Sequence, residues 1–156
     1  MKKLTLLVFL TFLTLAACSD TESEDTYSIE DARDNGDVIV EHQVDNFDQI
    51  MQGALEIENI DPITTLLDNY QQEETASADI SIFSPDGSHF KNSLSYDGDV
   101  VTFENNYGGY KNAPQGTYTC EYIEKRGPVV YVSSCESDEG ESYSTMIGFV
   151  GSENVF

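Results

Sequence analysis

Three cysteines, two histidines and 29 carboxylates are the side chains through which this chain could do chemistry. Nucleophilic catalysis needs an activated serine or cysteine beside a base. The serines lie in polar loops or strands with no nucleophile-elbow pattern, so no catalytic residue is assigned. His42 closes Val38-Ile39-Val40-Glu41-His42, and alternation puts it on one face with Val38, Val40 and Val44. There it is expected to be a hydrogen-bonded core residue; the alternative is a base working with nearby acids in an envelope hydrolase. His89 follows the Pro85-Asp86-Gly87 turn and is expected to be solvated. Two distant histidines without a Cys-x-x-Cys argue against zinc, and the expected metal and cofactor content is none. Asp97-Gly98-Asp99 and Asp138-Glu139-Gly140-Glu141 could offer carboxylates to calcium in a calcium-responsive surface domain. Neither follows the spaced pattern of a calcium loop, and a turn or an acidic loop explains both. Acid pairs for glycoside cleavage have no tryptophan platform beside them, because the chain has no Trp. Gly108-Gly109 lacks the strand-to-helix setting of a phosphate loop.

The third cysteine has a different context. Met1-Lys2-Lys3 precedes an uncharged apolar run from Leu4 to Ala17, a leader too short and wrongly flanked to span a membrane. It ends in Leu15-Ala16-Ala17-Cys18, which resembles the lipobox of bacterial lipoproteins. The resemblance implies removal of residues 1–17 and a diacylglycerol thioether on Cys18, an anchor to the extracytoplasmic side of the cell membrane. Cleavage there takes the 156 residues to 139 and, with Lys2 and Lys3 gone, the net charge from −22 to −24. Such a field repels nucleic acid and anionic headgroups; no nucleic acid partner is expected, and solubility is the simpler reason for the charge. Cys120 and Cys135 then remain as an even pair in an oxidising compartment, where a disulfide persists.

These groups must be held by elements legible in the pattern. Residues 18–37 are polar and acidic and read as a flexible tether; residues 38–156 read as one domain. A strand at 38–44 precedes a helix with Phe47, Ile50, Met51, Ala54 and Leu55 on one stripe. Asp61-Pro62 caps a second, with Ile63, Leu66, Leu67 and Tyr70 inward. Strands follow at 78–84, 89–96 and 100–107, and a two-residue turn at Asp97-Gly98 would set Leu94 opposite Val101 and Lys91 opposite Glu104. A last hairpin, 117–124 with 129–134, turns around Arg126-Gly127-Pro128. If Arg126 to Val129 form a four-residue loop, Cys120 and Cys135 are symmetric about it and face each other at about 4.5 Å between alpha carbons. Their bond should stabilise by roughly 3 kcal/mol. Residues 144–150 offer an edge strand. Together these read as an α+β domain: one or two helices on one face of a mostly antiparallel sheet of five or six strands, ending in a disulfide-linked hairpin. Tyr107, Tyr110 and Tyr118 flank the irregular 108–116 segment and form the candidate binding loop for an unknown protein or small ligand. The competing reading makes these rings the core of a tryptophan-free domain.

Several pieces in order also resemble a family of small lipoproteins of Gram-positive bacilli defined only as a domain of unknown function. They are Asn35-Gly36-Asp37-Val38, His42, Asn46-Phe47, Leu94-Ser95-Tyr96-Asp97-Gly98, Asn106-Tyr107-Gly108-Gly109 and Thr119-Cys120 with Cys135. The likeness runs over roughly residues 34–136, with about ten extra residues between helix and meander. It implies the anchor, the cysteine pair and the compartment; it brings no activity and no catalytic residue.

Overall fold

The computed structural model describes residues 27–156; the leader, Cys18 and the acidic stretch to Thr26 lie outside the described residues. Order begins well before Val38. The Ser28 side chain accepts the Asp31 N–H while the Asp31 carboxylate accepts the Ser28 N–H at 2.8 Å, a reciprocal cap opening α1 (Ile29–Asn35). Gly36 closes it at φ 76°, a left-handed conformation that suits glycine. The expected tether is therefore corrected: from Tyr27 onward that segment belongs to the domain.

Strand β1 (Val38–His42) follows where expected but ends two residues short of Val44. The next helix, α2 (Phe47–Ile50), is one turn long, opened by the Asn46 side chain accepting the Gln49 N–H at 3.0 Å. It does not continue to Leu55, because Gly53 turns the chain at φ 96°. Leu55-Glu56-Ile57-Glu58 then alternates and pairs antiparallel with β1 as β2 (Leu55–Glu58), Leu55 facing His42. Helix α3 (Asp61–Gln71) forms where expected, with Pro62 in its first turn; Ile60 rather than Asp61 is the cap. Ile63 and Leu66 are fully buried, about 1.5–3 kcal/mol of transfer free energy each.

The remaining strands are β3 (Ala76–Phe83), β4 (His89–Tyr96), β5 (Val101–Asn105), β6 (Gly116–Arg126), β7 (Val129–Ser137) and β8 (Ser142–Val150). Among the described residues eight strands form one sheet, ordered β2-β1-β3-β4-β5-β6-β7-β8. The pairs are antiparallel except β1–β3, joined in parallel by the β2–α3 crossover. Five or six was too few: β2 was hidden in an apparent helical stripe, and β8 is a full nine-residue partner of β7. The helices also do not share one face. Val38, Val40, Ala78, Ile80 and Ile82 join Ile63 and Leu66 in the main core, whereas Ala32 of α1 and Ile39 are buried outside it. Strand alternation thus puts α1 on the opposite face from α3.

Two registers decide where side chains go. Around Asp97, Tyr96 faces Val101 and Leu94 faces Phe103, two residues from the expected pairing. The Asp97 carboxylate accepts the N–H groups of Asp99 and Val100, each at 2.9 Å, and this builds a four-residue turn instead of a two-residue one. An even shift keeps every side chain on its face, although Ser93 rather than Lys91 now faces Glu104. At the last hairpin Cys120 pairs with Cys135 as expected, bonded at 2.03 Å with alpha carbons 4.0 Å apart. Here the connection is tighter, since Arg126 already pairs with Val129.

One feature breaks strict alternation. Ser134 sits at φ 53°, and both Cys120 and Ile123 on β6 point inward, as do Val132 and Cys135 on β7. The hairpin changes phase at this point, so Ile123 is buried and Tyr122 stands 55% exposed. The sheet also rolls: a Cβ on Gly148 of β8 would lie 3.5 Å from the Leu94 side chain of β4.

Candidate functional site

On the α1 face, three strands bring an aspartate, a serine and a histidine together. Asp37 precedes β1, Ser81 lies on β3 opposite Ile39, and His89 opens β4. Asp37 is 1% exposed and Ser81 fully buried. The Ser81 hydroxyl donates to Asp37 Oδ2 at 2.6 Å, and the Tyr27 hydroxyl donates to the same oxygen at 2.9 Å. Lys91 Nζ reaches Asp37 Oδ1 and Asp79 Oδ2, each at 3.2 Å. Burial alone would raise the Asp37 pKa, but the bonds from Ser81, Tyr27 and Lys91, with the Lys91 charge, outweigh it and hold the carboxyl below its ordinary range. Asp37 is therefore an anion that only accepts.

His89 Nε2 lies 3.1 Å from Ser81 Oγ. The single serine hydrogen is committed to Asp37, so the imidazole must donate this bond. A hydrolytic triad needs the reverse, with serine donating to histidine and the carboxylate orienting the far ring nitrogen. Here the serine stands between acid and imidazole and is sealed from solvent; the three residue types of a triad are present in an order that cannot activate the hydroxyl. His89 is half-buried rather than solvated, stacked on Tyr27 with ring centroids 4.4 Å apart and packed against Phe83 at 4.8 Å. Burial lowers its pKa, while Asp37 pulls the other way. Asp37 and Ser81 meet through a parallel, non-local pairing that no sequence pattern announces, and His89 joins them across the antiparallel β3–β4 hairpin. The short cap Ser28-x-x-Asp31 was the available signal that α1 would cover this cluster.

The second polar group lies on the core face. His42 is 4% exposed, with Nδ1 3.2 Å from the Tyr107 hydroxyl and Nε2 3.5 Å from that of Tyr110. Burial pushes its pKa down to about 4, with the Asp45 charge acting weakly upward. It is the neutral, hydrogen-bonded core histidine expected, and both ring nitrogens face tyrosines. The candidate binding loop needs correction: Tyr107, Tyr110 and Tyr118 are 7%, 4% and 2% exposed, and the segment folds inward. Two buried amides fasten it. Asn92 donates to Asn105 at 2.9 Å and accepts the Asn106 N–H at 2.8 Å, while Asn105 donates to the Ala113 and Pro114 carbonyls. Tyr118 donates to the Pro114 carbonyl at 2.8 Å. The hydroxyl end of the Tyr107 ring packs against Gly109, where any Cβ would overlap it. Lys111 closes the outside of the loop, paired with Asp48 at 2.8 Å and set over Phe47.

The acidic motifs have structural uses. Asp97 caps its own turn, and Glu141 accepts the Tyr143 hydroxyl at 2.7 Å. Among the described residues no group of three His, Cys, Asp or Glu side chains is placed to hold a metal ion, and no helix is long and apolar enough to cross a membrane. A groove of about 430 Å³ runs between α3 and β6, floored by Leu67, Tyr70, Ile123 and Phe156. Against protein-family models, curated proteins and solved structures, the chain gives no match.

Proposed function

We propose that the protein is a lipoprotein fastened by Cys18 to the outer face of the cell membrane, where its domain binds a protein or small ligand without catalysing a reaction. The observation that carries this reading is Leu15-Ala16-Ala17-Cys18 directly after a basic, apolar leader. The likeness to a lipoprotein domain of unknown function belongs to the same reading. Three further features support it. The Cys120–Cys135 bond suits an oxidising compartment. Ser81, His89 and Asp37 are wired against nucleophile activation, and His42 spends both nitrogens on tyrosines. With the tyrosine loop turned inward, the groove between α3 and β6 offers the apolar surface that ligand binding requires. Feeding cells an alkyne fatty acid tests the anchor: the native chain should take up label and Cys18→Ala should not. Equal labelling of both, or of neither, contradicts it.

A further inference from the structure

We propose that α1, together with Tyr27, is a detachable strap that sets how far the domain reaches from its anchor; the proposal rests on lipidation of Cys18. Seven residues are too few for a helix to hold itself, so α1 depends on what it touches. Ala32 is the one buried residue along it. The other contacts that hold it are mostly polar, although Ile39 is buried on the same face. Tyr27 donates to Asp37 and stacks on His89. Arg33 forks onto the Glu58 carboxylate at 2.9 and 3.2 Å, with both side chains about half exposed. Asn59 donates to the Gly36 and Asp37 carbonyls at 2.9 and 3.0 Å, and Asn35 donates to the Tyr27 hydroxyl at 2.8 Å. Water replaces bonds of this kind at small net cost. Helix α3, by contrast, is pinned by Ile63 and Leu66.

Lifting α1 also leaves the main core whole, because Val38, Val40, Ile80 and Ile82 face α3 on the other side. Local opening below the free energy of global unfolding follows from this division. The consequence lies in the position of α1 in the chain. From Cys18 to Tyr27 the backbone spans at most about 30 Å; from Cys18 to Val38 it spans at most about 70 Å. Docked, the strap keeps the domain at the membrane surface; released, it roughly doubles the reach.

Hydrogen exchange on the full acylated protein in lipid nanodiscs tests this. The amides of Ala32, Gly36 and Asp37, which bond within and just after α1, should exchange about a hundredfold faster than those of β3 and β4. Tyr27→Ala should speed them about tenfold further, and Arg33→Gln, which breaks a half-exposed pair, about threefold, while the sheet amides stay unchanged. Asp48→Asn, which breaks a surface ion pair elsewhere, should leave them alone. Energy transfer from the domain to a bilayer dye should fall in Tyr27→Ala. Exchange of α1 in step with the sheet, or Tyr27→Ala speeding every amide alike, overturns the strap. The intact mass of the same sample separates the two ideas: an unacylated chain removes the anchor, whereas an acylated chain with a cooperative α1 removes only the strap.

Discussion

Acidification from about pH 7.5 to about pH 4.5 should cost the fold about 2.5 kcal/mol through His42 alone. The figure follows from its burial. In the unfolded chain the imidazole titrates near 6.5, whereas in the fold burial pushes it to about 4. Between those values the unfolded state binds the extra proton, so stability is fully present above the unfolded pKa and drains as pH falls toward the folded one. Nearly two pH units of that window lie above pH 4.5, at about 1.4 kcal/mol each. The assay is urea denaturation at both pH values and fixed ionic strength, with the disulfide intact, on the native chain and on His42→Gln. Glutamine keeps polar atoms for the Tyr107 and Tyr110 hydroxyls but has no proton to gain. Carboxylates and His89 titrate in both proteins and cancel in the difference. The native chain should lose about 2.5 kcal/mol more than the variant. Equal losses would show that His42 is not the neutral core residue described here.

Other consequences are simpler to check. Replacing Cys120 and Cys135 together by alanine removes the bond across β6 and β7 and should lower stability by about 3 kcal/mol, read from the urea midpoint. Gly109→Ala forces the Tyr107 ring away from its seat and should cost about 1–3 kcal/mol, with altered His42 ring resonances in the NMR spectrum. Ser81→Ala leaves Asp37 short of its closest hydrogen bond; the expected loss at neutral pH is about 1–3 kcal/mol, and an unchanged midpoint would deny the bond its role. Chelator should not move the melting temperature, because Asp97 and Glu141 spend their carboxylates on backbone and tyrosine partners; a drop would revive a calcium site.

Local chemistry was legible in the sequence and distant pairing was not. The symmetry of Cys120 and Cys135 about a short turn predicted their partnership, because the two-residue loop closed by Arg126 and Val129 gives the same register as the expected four-residue loop. Helix α3 was legible from Asp61-Pro62 and the spacing of Ile63 and Leu66. Leu55 and Ile57 misled, since a short apolar stripe fits a helix as well as an edge strand, and only the turn at Gly53 decides between them. The tyrosines misled through composition: an irregular Gly-rich segment reads as surface until Asn92 and Asn105, far apart in sequence, tie it inward. Asp37 and Ser81 meet through the parallel β1–β3 pairing, which no local pattern announces, whereas His89 reaches Ser81 across the β3–β4 hairpin. The phase change at Ser134 defeated simple alternation for Tyr122 and Ile123.

The sulfur of Cys18 is the atom at which the proposed anchor is tested most directly. Tandem mass spectrometry of the N-terminal peptide from cell-derived protein should find a chain that starts at Cys18 and carries a diacylglyceryl thioether. A free thiol there, or a chain still beginning at Met1, would contradict the account.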